Sequence, residues 1–151
     1  MKNIQIILLF FVFGCTTNKE INIFYENKSN ETIKNILYEK QYNENSPAEY
    51  RRQEDEILLF FSGLSFQGSK IVVNKKDTLI FKEQTFPTEC LGFKLYKIKK
   101  KNNYLLLKSD KYKKILKLKI DDNYNYATIG NSLNNFWAIT YYPFFPNITC
   151  R

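Results

Sequence analysis

The chain has 151 residues, a formal net charge of +8 and no histidine. This length suits one domain with a buried core, and the missing histidine excludes Ser-His-Asp and Cys-His catalysis within the chain. The abundance of Lys, Asn, Ile, Tyr and Phe beside only five Gly is typical of AT-rich coding sequence, so the positive charge does not by itself indicate a partner.

The N-terminal segment has the layout of a secretory signal. One basic residue, Lys2, precedes the mostly apolar run 4–13. A membrane-spanning helix needs roughly 20 apolar residues, so this run is too short to be one. We therefore expect residues 1–14 to be removed and the mature chain to begin at Cys15.

The segment Val12-Phe13-Gly14-Cys15 resembles a lipobox, the recognition site of bacterial lipoprotein precursors. The resemblance covers only the signal region, up to about residue 20. Gly14 supplies the small residue at the cleavage point, whereas Phe13 stands where a small residue is commoner. The resemblance implies a diacylglyceryl group on the Cys15 sulfur, and two or more acyl chains anchor a protein firmly at about 0.8 kcal/mol per buried CH₂. The alternatives are an ordinary secretory signal with a chance cysteine, or a buried hydrophobic hairpin.

After the lipidated cysteine and a short polar tether, 15–20, the sequence predicts a single domain over 21–151. We expect it to be all-β, or β-rich with one short helix. Turn residues recur between short β-prone runs, which favours an antiparallel β-sandwich or barrel of about seven or eight short strands. The sequence contains no long helical periodicity, internal repeat or low-complexity linker.

The first half of the domain gives mixed signals. Ile21–Tyr25 is predicted to be a strand, and Ile33–Tyr38 fits a strand or a short helix. Ser46–Glu49 has the form of a capping box with proline at the first helical position. A short surface helix or an exposed loop would then cover 50–56, followed by the apolar run Ile57–Phe61.

The second half gives clearer strand signals. Lys70–Val73 with Thr78–Phe81 predicts one hairpin, and Phe93–Ile98 with Tyr104–Leu107 predicts another with a charged tip. The clearest strand is Lys113–Ile120, in which leucine and isoleucine alternate with lysine.

The last two predicted strands are Tyr124–Ile129 and Phe136–Tyr142. The latter contains the only tryptophan, Trp137, with apolar or aromatic residues on both faces. This is typical of a strand covered on both sides, although an aromatic platform for sugars is the alternative. Pro143 and Pro146 lack the backbone N–H that a central strand needs, so we expect the tail to lie across the domain.

Three cysteines are present. With lipid on Cys15, Cys90 and Cys150 remain as an even pair in an oxidising compartment. We predict a Cys90–Cys150 disulfide, closing a loop of about 60 residues and contributing roughly 4 kcal/mol on the chain-entropy model. Two separate thiols are the alternative.

The stretch 94–119 holds eleven lysines and one acidic residue, Asp110. The candidate patch for an anionic partner consists of Lys94, Lys97, Lys99, Lys100, Lys101, Lys117 and Lys119. Such a patch suits lipid headgroups, acidic glycans or an acidic protein. Lysines on strands also keep the protein soluble and protect sheet edges from aggregation, and this is the competing interpretation. We expect no nucleic-acid partner for an exported domain.

Four carboxylates cluster at Glu49 and Glu54–Glu56, but they are interleaved with Arg51 and Arg52. That mixture indicates a solvated charged surface rather than an acid–base pair. No cofactor or metal-ligand motif is present in the sequence. We therefore expect neither an enzyme nor a cofactor.

The sequence-based expectation is a membrane-anchored cell-envelope lipoprotein with a non-catalytic binding or structural domain. The alternative is an inhibitor or immunity-type protein that blocks a toxin or hydrolase at the envelope. Its partners would be the membrane, through lipid on Cys15, and a protein, glycan or anionic lipid. Thr16 follows the cysteine in place of the aspartate typical of inner-membrane retention, which favours the outer membrane if the cell is gram-negative.

Overall fold

The computed structural model describes residues 21–111, 115–131 and 136–148. This part of the chain contains one α-helix, two 3-10 helices and nine strands. In chain order these are β1 Ile21–Tyr25, a 3-10 helix Lys28–Asn30, α1 Ile33–Asn45, a 3-10 helix Ala48–Tyr50, β2 Glu56–Ser62, β3 Lys70–Val73, β4 Asp77–Ile80, β5 Phe93–Lys99, β6 Tyr104–Ser109, β7 Leu116–Lys119, β8 Tyr126–Asn131 and β9 Trp137–Tyr142. The predicted β-rich class with a single helix is confirmed.

The strands form a β-sandwich of two sheets. The first sheet has the order β1-β9-β8-β2-β5 and the second β4-β3-β6-β7. The second sheet is antiparallel, as predicted. The first is mixed, because β1 pairs with β9 and β2 with β8 in parallel. Parallel partners need long connections, so pairings of this kind leave no local signal in the sequence.

The main core lies between the sheets. Ile57, Leu59 and Phe61 of β2 are fully buried in it. Leu105 of the second sheet contributes from the other side. Trp137 belongs to the same core and is 4% exposed, which leaves no open ring face for the sugar platform considered above.

A third layer covers the outer face of the first sheet. Leu58 and Phe60, the alternate residues of β2, pack there with Phe145 of the C-terminal tail and with Tyr38 and Tyr42 of α1. Because β2 is covered on both faces, its sequence is a continuous apolar run rather than an alternating one. The prediction that the tail lies across the domain is confirmed.

The first turn of helix α1 is fixed by hydrogen bonds of the Asn35 side chain. The Asn35 side-chain oxygen accepts the Thr32 backbone N–H at 2.8 Å, and its amide donates to the Phe145 carbonyl at 2.9 Å. Asn35 is buried, so one side chain both caps the helix and joins it to the tail. This arrangement decides the ambiguous segment Ile33–Tyr38 in favour of helix.

The proposed capping box at Ser46 was wrong. Ser46 instead ends α1, because its backbone N–H donates to the Tyr42 carbonyl at 2.9 Å. The short 3-10 helix that follows covers Ala48–Tyr50, with Pro47 immediately before it. Of the two alternatives for 50–56, the structure has the loop: the 3-10 helix ends at Tyr50, 51–55 contain no helix, and β2 begins at Glu56.

The hairpin formed by β3 and β4 is confirmed. Its turn places Asn74 and Lys75 at φ values of 50° and 60°. The Lys76 backbone N–H donates to the Val73 carbonyl at 3.0 Å. Two successive residues in the left-handed region are typical of a type I′ turn, which matches the twist of the strands.

The second predicted hairpin was wrong. β5 pairs with β2 in the first sheet, whereas β6 pairs with β3 and β7 in the second. The connection 100–103 therefore crosses from one sheet to the other. Packed sheets lie only about 10 Å apart, so a polar connection of hairpin length also reaches the opposite sheet.

The alternation predicted for the clearest strand is confirmed over β7. Leu116 and Leu118 are buried, whereas Lys117 and Lys119 are exposed. The described strand is shorter than the predicted Lys113–Ile120, and its first predicted residues lie outside the described part of the chain.

Candidate functional site

The candidate lipidation site, Cys15, lies outside the described residues together with the rest of the signal segment. The first described residue, Ile21, opens β1, an edge strand of the first sheet. Across 21–111, 115–131 and 136–148, no helix is long and apolar enough to cross a bilayer. The anchor therefore stays a prediction from the sequence.

Cys90 is disulfide-bonded. It lies in the connection between β4 and β5. Cys150, its predicted partner, is outside the described residues. The pairing itself therefore stays a prediction.

Two lysines of the candidate patch neutralise a carboxylate inside the protein. Glu56 is 8% exposed. The Lys99 ammonium lies 3.3 Å from its carboxylate and 2.8 Å from that of Asp55. Lys97 lies 3.6 Å from Glu56 and donates to the Arg51 carbonyl at 3.0 Å. These contacts give Lys97 and Lys99 a role in stabilising the fold.

Two other lysines of the patch are also engaged. The Lys117 ammonium sits 4.1 Å from the centre of the Tyr104 ring, a cation–π contact. Lys100 donates to the Asn125 side chain at 2.9 Å. Burial, together with the nearby Arg52, lowers the pKa of Lys100.

The candidate patch is divided between two edges of the sandwich. β5 and β7 are edge strands of different sheets. The Tyr96 hydroxyl of β5 donates to Asp77 at the start of β4, at 2.8 Å. The Tyr141 hydroxyl of β9 donates to the Lys119 carbonyl of β7, at 2.7 Å. The lysines of β5 and β7 thus face different surroundings and do not form one continuous surface.

The clustered carboxylates do not form a free acid–base pair. Asp55 and Glu56 are bound by lysines, and Glu49 and Glu54 are exposed. Within the described ranges, no three Asp, Glu, Cys or His side chains are placed to hold a metal ion.

A tyrosine cluster borders one of the concave surfaces of the described chain. The rings of Tyr25 and Tyr141 stack at 5.5 Å with an angle of 11° between their planes. Tyr124 packs against both, at 5.5 Å and 5.6 Å between ring centres. Tyr141 is buried, and this burial raises the pKa of its hydroxyl. Tyr25 is 55% exposed, so the cluster presents aromatic surface to solvent.

The exposed side of this cluster borders a cleft of about 360 Å³. We call it the tyrosine cleft, and its lining residues are Tyr25, Glu26, Asn27, Lys28, Asn123, Tyr124 and Pro143. Local hydrogen bonds hold several polar groups in place: Asn30 donates to Glu26 at 2.8 Å, and Asn27 accepts the Ser29 backbone N–H at 3.2 Å. The Lys28 ammonium pairs with Glu31 at 2.6 Å. Aromatic faces beside amide and carboxylate groups are suited to holding a polar ligand.

Sequence reasoning missed this cleft. Tyr25 and Tyr124 are far apart in the chain and meet only because β1 pairs with β9, which also brings Tyr141 into the cluster. The one available signal was the abundance of tyrosine, 11 residues in all, which does not locate a site.

Helix α1 provides a second unusual surface. Ile33, Ile36 and Leu37 lie on its outward side and are 77%, 55% and 58% exposed. Spacings of three and four residues place them on one helical face. We call this row the α1 stripe, and it is the largest aliphatic group on the described helix that faces solvent.

No protein-family model matches the chain, and neither the curated proteins nor the solved structures contain a significant match.

Proposed function

We propose that this chain is a cell-envelope lipoprotein, anchored by lipid on Cys15, whose β-sandwich is a non-catalytic binding domain with the tyrosine cleft as its ligand site. The observation that carries the anchor is the apolar run ending in Gly14-Cys15 only six residues before Ile21. A tether this short would hold the domain directly at a membrane.

The cleft supports the binding part of the proposal. It lies at the Tyr25 end of β1, the opposite end of that strand from Ile21 and the tether. A ligand site placed there would remain accessible on an anchored domain.

Metabolic labelling with a fatty acid tests the anchor. We expect label on the mature protein and none on Cys15→Ser, because the thioether forms on that sulfur. Thr16→Ser, the matched control, should keep the label and the membrane fraction. Cleavage and membrane retention unchanged in Cys15→Ser would contradict the anchor.

Retention of native envelope material by the immobilised protein tests the cleft. We expect Tyr25→Ala to lose a retained molecule that wild type and Tyr104→Ala both keep. Tyr104 is a suitable control because it is also exposed, at 47%, but belongs to the other sheet. Identical retained material in all three proteins would exclude the cleft as the ligand site.

The α1 stripe favours a second candidate function, an inhibitor or immunity-type protein. Exposed aliphatic rows of this kind are common where a helix meets a protein partner. In that case one envelope protein should copurify in stoichiometric amount, and Ile36→Ser with Leu37→Ser should abolish its binding. Tyr25→Ala should then leave the complex intact, which separates this function from binding in the cleft.

A further inference from the structure

The strand register defines two ends of the sandwich. Ile21 lies beside Trp137, which lies beside Asn131. β2 runs parallel to β8 and so finishes at the same end, at Ser62. We call this the Ile21 end. At the opposite end, the Tyr25 end, β1 finishes and the tyrosine cleft opens.

Four connections lie at the Ile21 end. The β8–β9 connection is outside the described residues except for Phe136, and the other three are β2–β3, β4–β5 and β6–β7. They contact one another. The Gly68 backbone N–H donates to the Lys82 carbonyl at 3.0 Å, and the Lys111 ammonium donates to the Ser65 carbonyl at 3.4 Å. The three connections therefore form one surface rather than separate loops.

The described part of each of these three connections exposes one large apolar side chain. Leu64, Phe86 and Ile115 are 56%, 55% and 56% exposed. The connections at the Tyr25 end cover 26–31, 51–55, 74–76, 100–103 and 121–125. None of these described ranges contains an exposed large hydrophobic residue. The connections at the two ends thus differ in chemistry, although Tyr25 and Tyr104 are exposed in the strands at the Tyr25 end. The end with the apolar connections is where the described chain begins.

We propose that the Ile21 end rests on the membrane leaflet that carries the Cys15 lipid, with Leu64, Phe86 and Ile115 entering the headgroup region. The inference rests on the proposed anchor. Fully extended, the six residue steps from Cys15 to Ile21 span at most about 20 Å. Apolar side chains held that close to a bilayer enter the boundary between headgroups and acyl chains, which removes their surface from water.

Charge alone does not explain this surface. The described parts of the three connections, with the first residue of β3, carry three lysines and three carboxylates, Lys70, Lys82, Lys111, Glu83, Glu89 and Asp110. Lys113 and Lys114 of the same β6–β7 connection lie outside the described residues and bring the sequence balance of these connections to +2, which anionic lipid would attract by about 1 kcal/mol per excess lysine. The contact should therefore form on zwitterionic bilayers through the apolar side chains and be somewhat stronger on anionic ones.

Quenching by brominated lipids tests the orientation. Three variants of the lipidated mature protein are reconstituted into phosphatidylcholine vesicles. Phe86→Trp and Leu64→Trp place a tryptophan at the Ile21 end, and the control, Lys75→Trp, places one in the β3–β4 turn at the Tyr25 end. Trp137 is present in all three and is 4% exposed. We expect the emission added by the first two variants to shift to the blue and to fall by roughly half, because those indoles would sit within about 10 Å of the acyl boundary. The emission added by Lys75→Trp should not change.

Each outcome bears on a different claim. Equal quenching in all three variants, on protein that carries lipid and sediments with the vesicles, would overturn the orientation and leave the anchor standing. Protein that carries no lipid and stays in solution would overturn both. Quenching that appears only after phosphatidylglycerol is added would show a contact made through lysines, and would overturn the apolar contact proposed here.

Discussion

The buried Glu56 carboxylate stays charged because three groups stabilise its negative charge: the Gln53 backbone N–H and the ammonium groups of Lys97 and Lys99. Burial raises the pKa of the Glu56 carboxyl, but the Gln53 backbone N–H, which donates at 2.8 Å, and the nearby lysines outweigh that effect. The pKa of Glu56 is therefore held below its usual value. Compensation of this kind is needed because an unpaired buried carboxylate is strongly destabilising.

We expect Glu56→Gln to lower the free energy of unfolding by about 1–3 kcal/mol at neutral pH, because it leaves Lys97 and Lys99 without their shared partner. A lowered carboxyl pKa stabilises the fold above the usual value of 4.5, and this stabilisation is lost as pH falls through the lower folded-state pKa. Urea unfolding at pH 7 and at pH 3 should therefore show a smaller acid-induced loss in Glu56→Gln than in wild type.

The exposed neighbour Glu54 is the matched control. Glu54→Gln should stay within about 0.5 kcal/mol of wild type at pH 7. If Glu56→Gln behaves in the same way, the ion pairs with Lys97 and Lys99 contribute little to stability.

At the scale of elements, the β3–β4 turn contains a lysine in a conformation that favours glycine. A left-handed backbone costs an L-residue roughly 1–2 kcal/mol, and glycine largely avoids this cost. We expect Lys75→Gly to raise the free energy of unfolding by about 0.5–1 kcal/mol, since it also creates the Asn-Gly pair preferred in type I′ turns. Thermal or urea unfolding measures the change.

Lys76→Gly is the control for this turn, since Lys76 is not among the residues with positive φ. It should be neutral or slightly destabilising because glycine adds freedom to the unfolded chain. Equal stabilisation by both substitutions would point to relief of charge repulsion instead of backbone strain.

Local signals predicted those elements whose pairing is also local. The β3–β4 hairpin has its turn residues between its two strands, and β7 alternates because one of its faces is buried. The predicted β5–β6 hairpin was wrong because a short polar connection fits two arrangements equally well. Its two strands can pair within one sheet, or they can belong to the two opposing sheets of the sandwich. The sequence of Ile33–Tyr38 is ambiguous between strand and helix because the aliphatic residues of α1, Ile33, Ile36 and Leu37, face solvent, while its tyrosines face the sheet.

At the scale of the whole molecule, the predicted disulfide would join the β4–β5 connection to the C-terminus. We expect non-reducing peptide mapping to find Cys90 linked to Cys150. Cys150→Ser should lower the free energy of unfolding by about 2–4 kcal/mol, because the bond closes a long loop in the unfolded chain. Reductant should then cause no further loss of stability in that variant.

A peptide linking Cys90 to Cys15 would contradict both this pairing and the lipid anchor, because the same sulfur cannot carry both bonds. A bond from Cys90 to a second chain would contradict the pairing alone.

Neither the tyrosine cleft nor the apolar Ile21 end could be predicted from the sequence. The cleft forms only because β1 pairs in parallel with β9. These are the first and the last described strands in the sequence. The apolar end depends on three side chains, Leu64, Phe86 and Ile115, from connections far apart in the chain. Each alone is an ordinary exposed residue, and only the sheet order places them at one end.

The position of β2 between two layers has a consequence for hydrogen exchange. Its amides from Ile57 to Phe61 belong to residues without solvent exposure and lie between two neighbouring strands, so they should exchange only when the whole domain unfolds. Among the described strands, β1 has one neighbour, β9, and it is mostly exposed, so its amides should exchange through local opening. Protection should therefore increase across the first sheet from the edge nearest the tether towards β2.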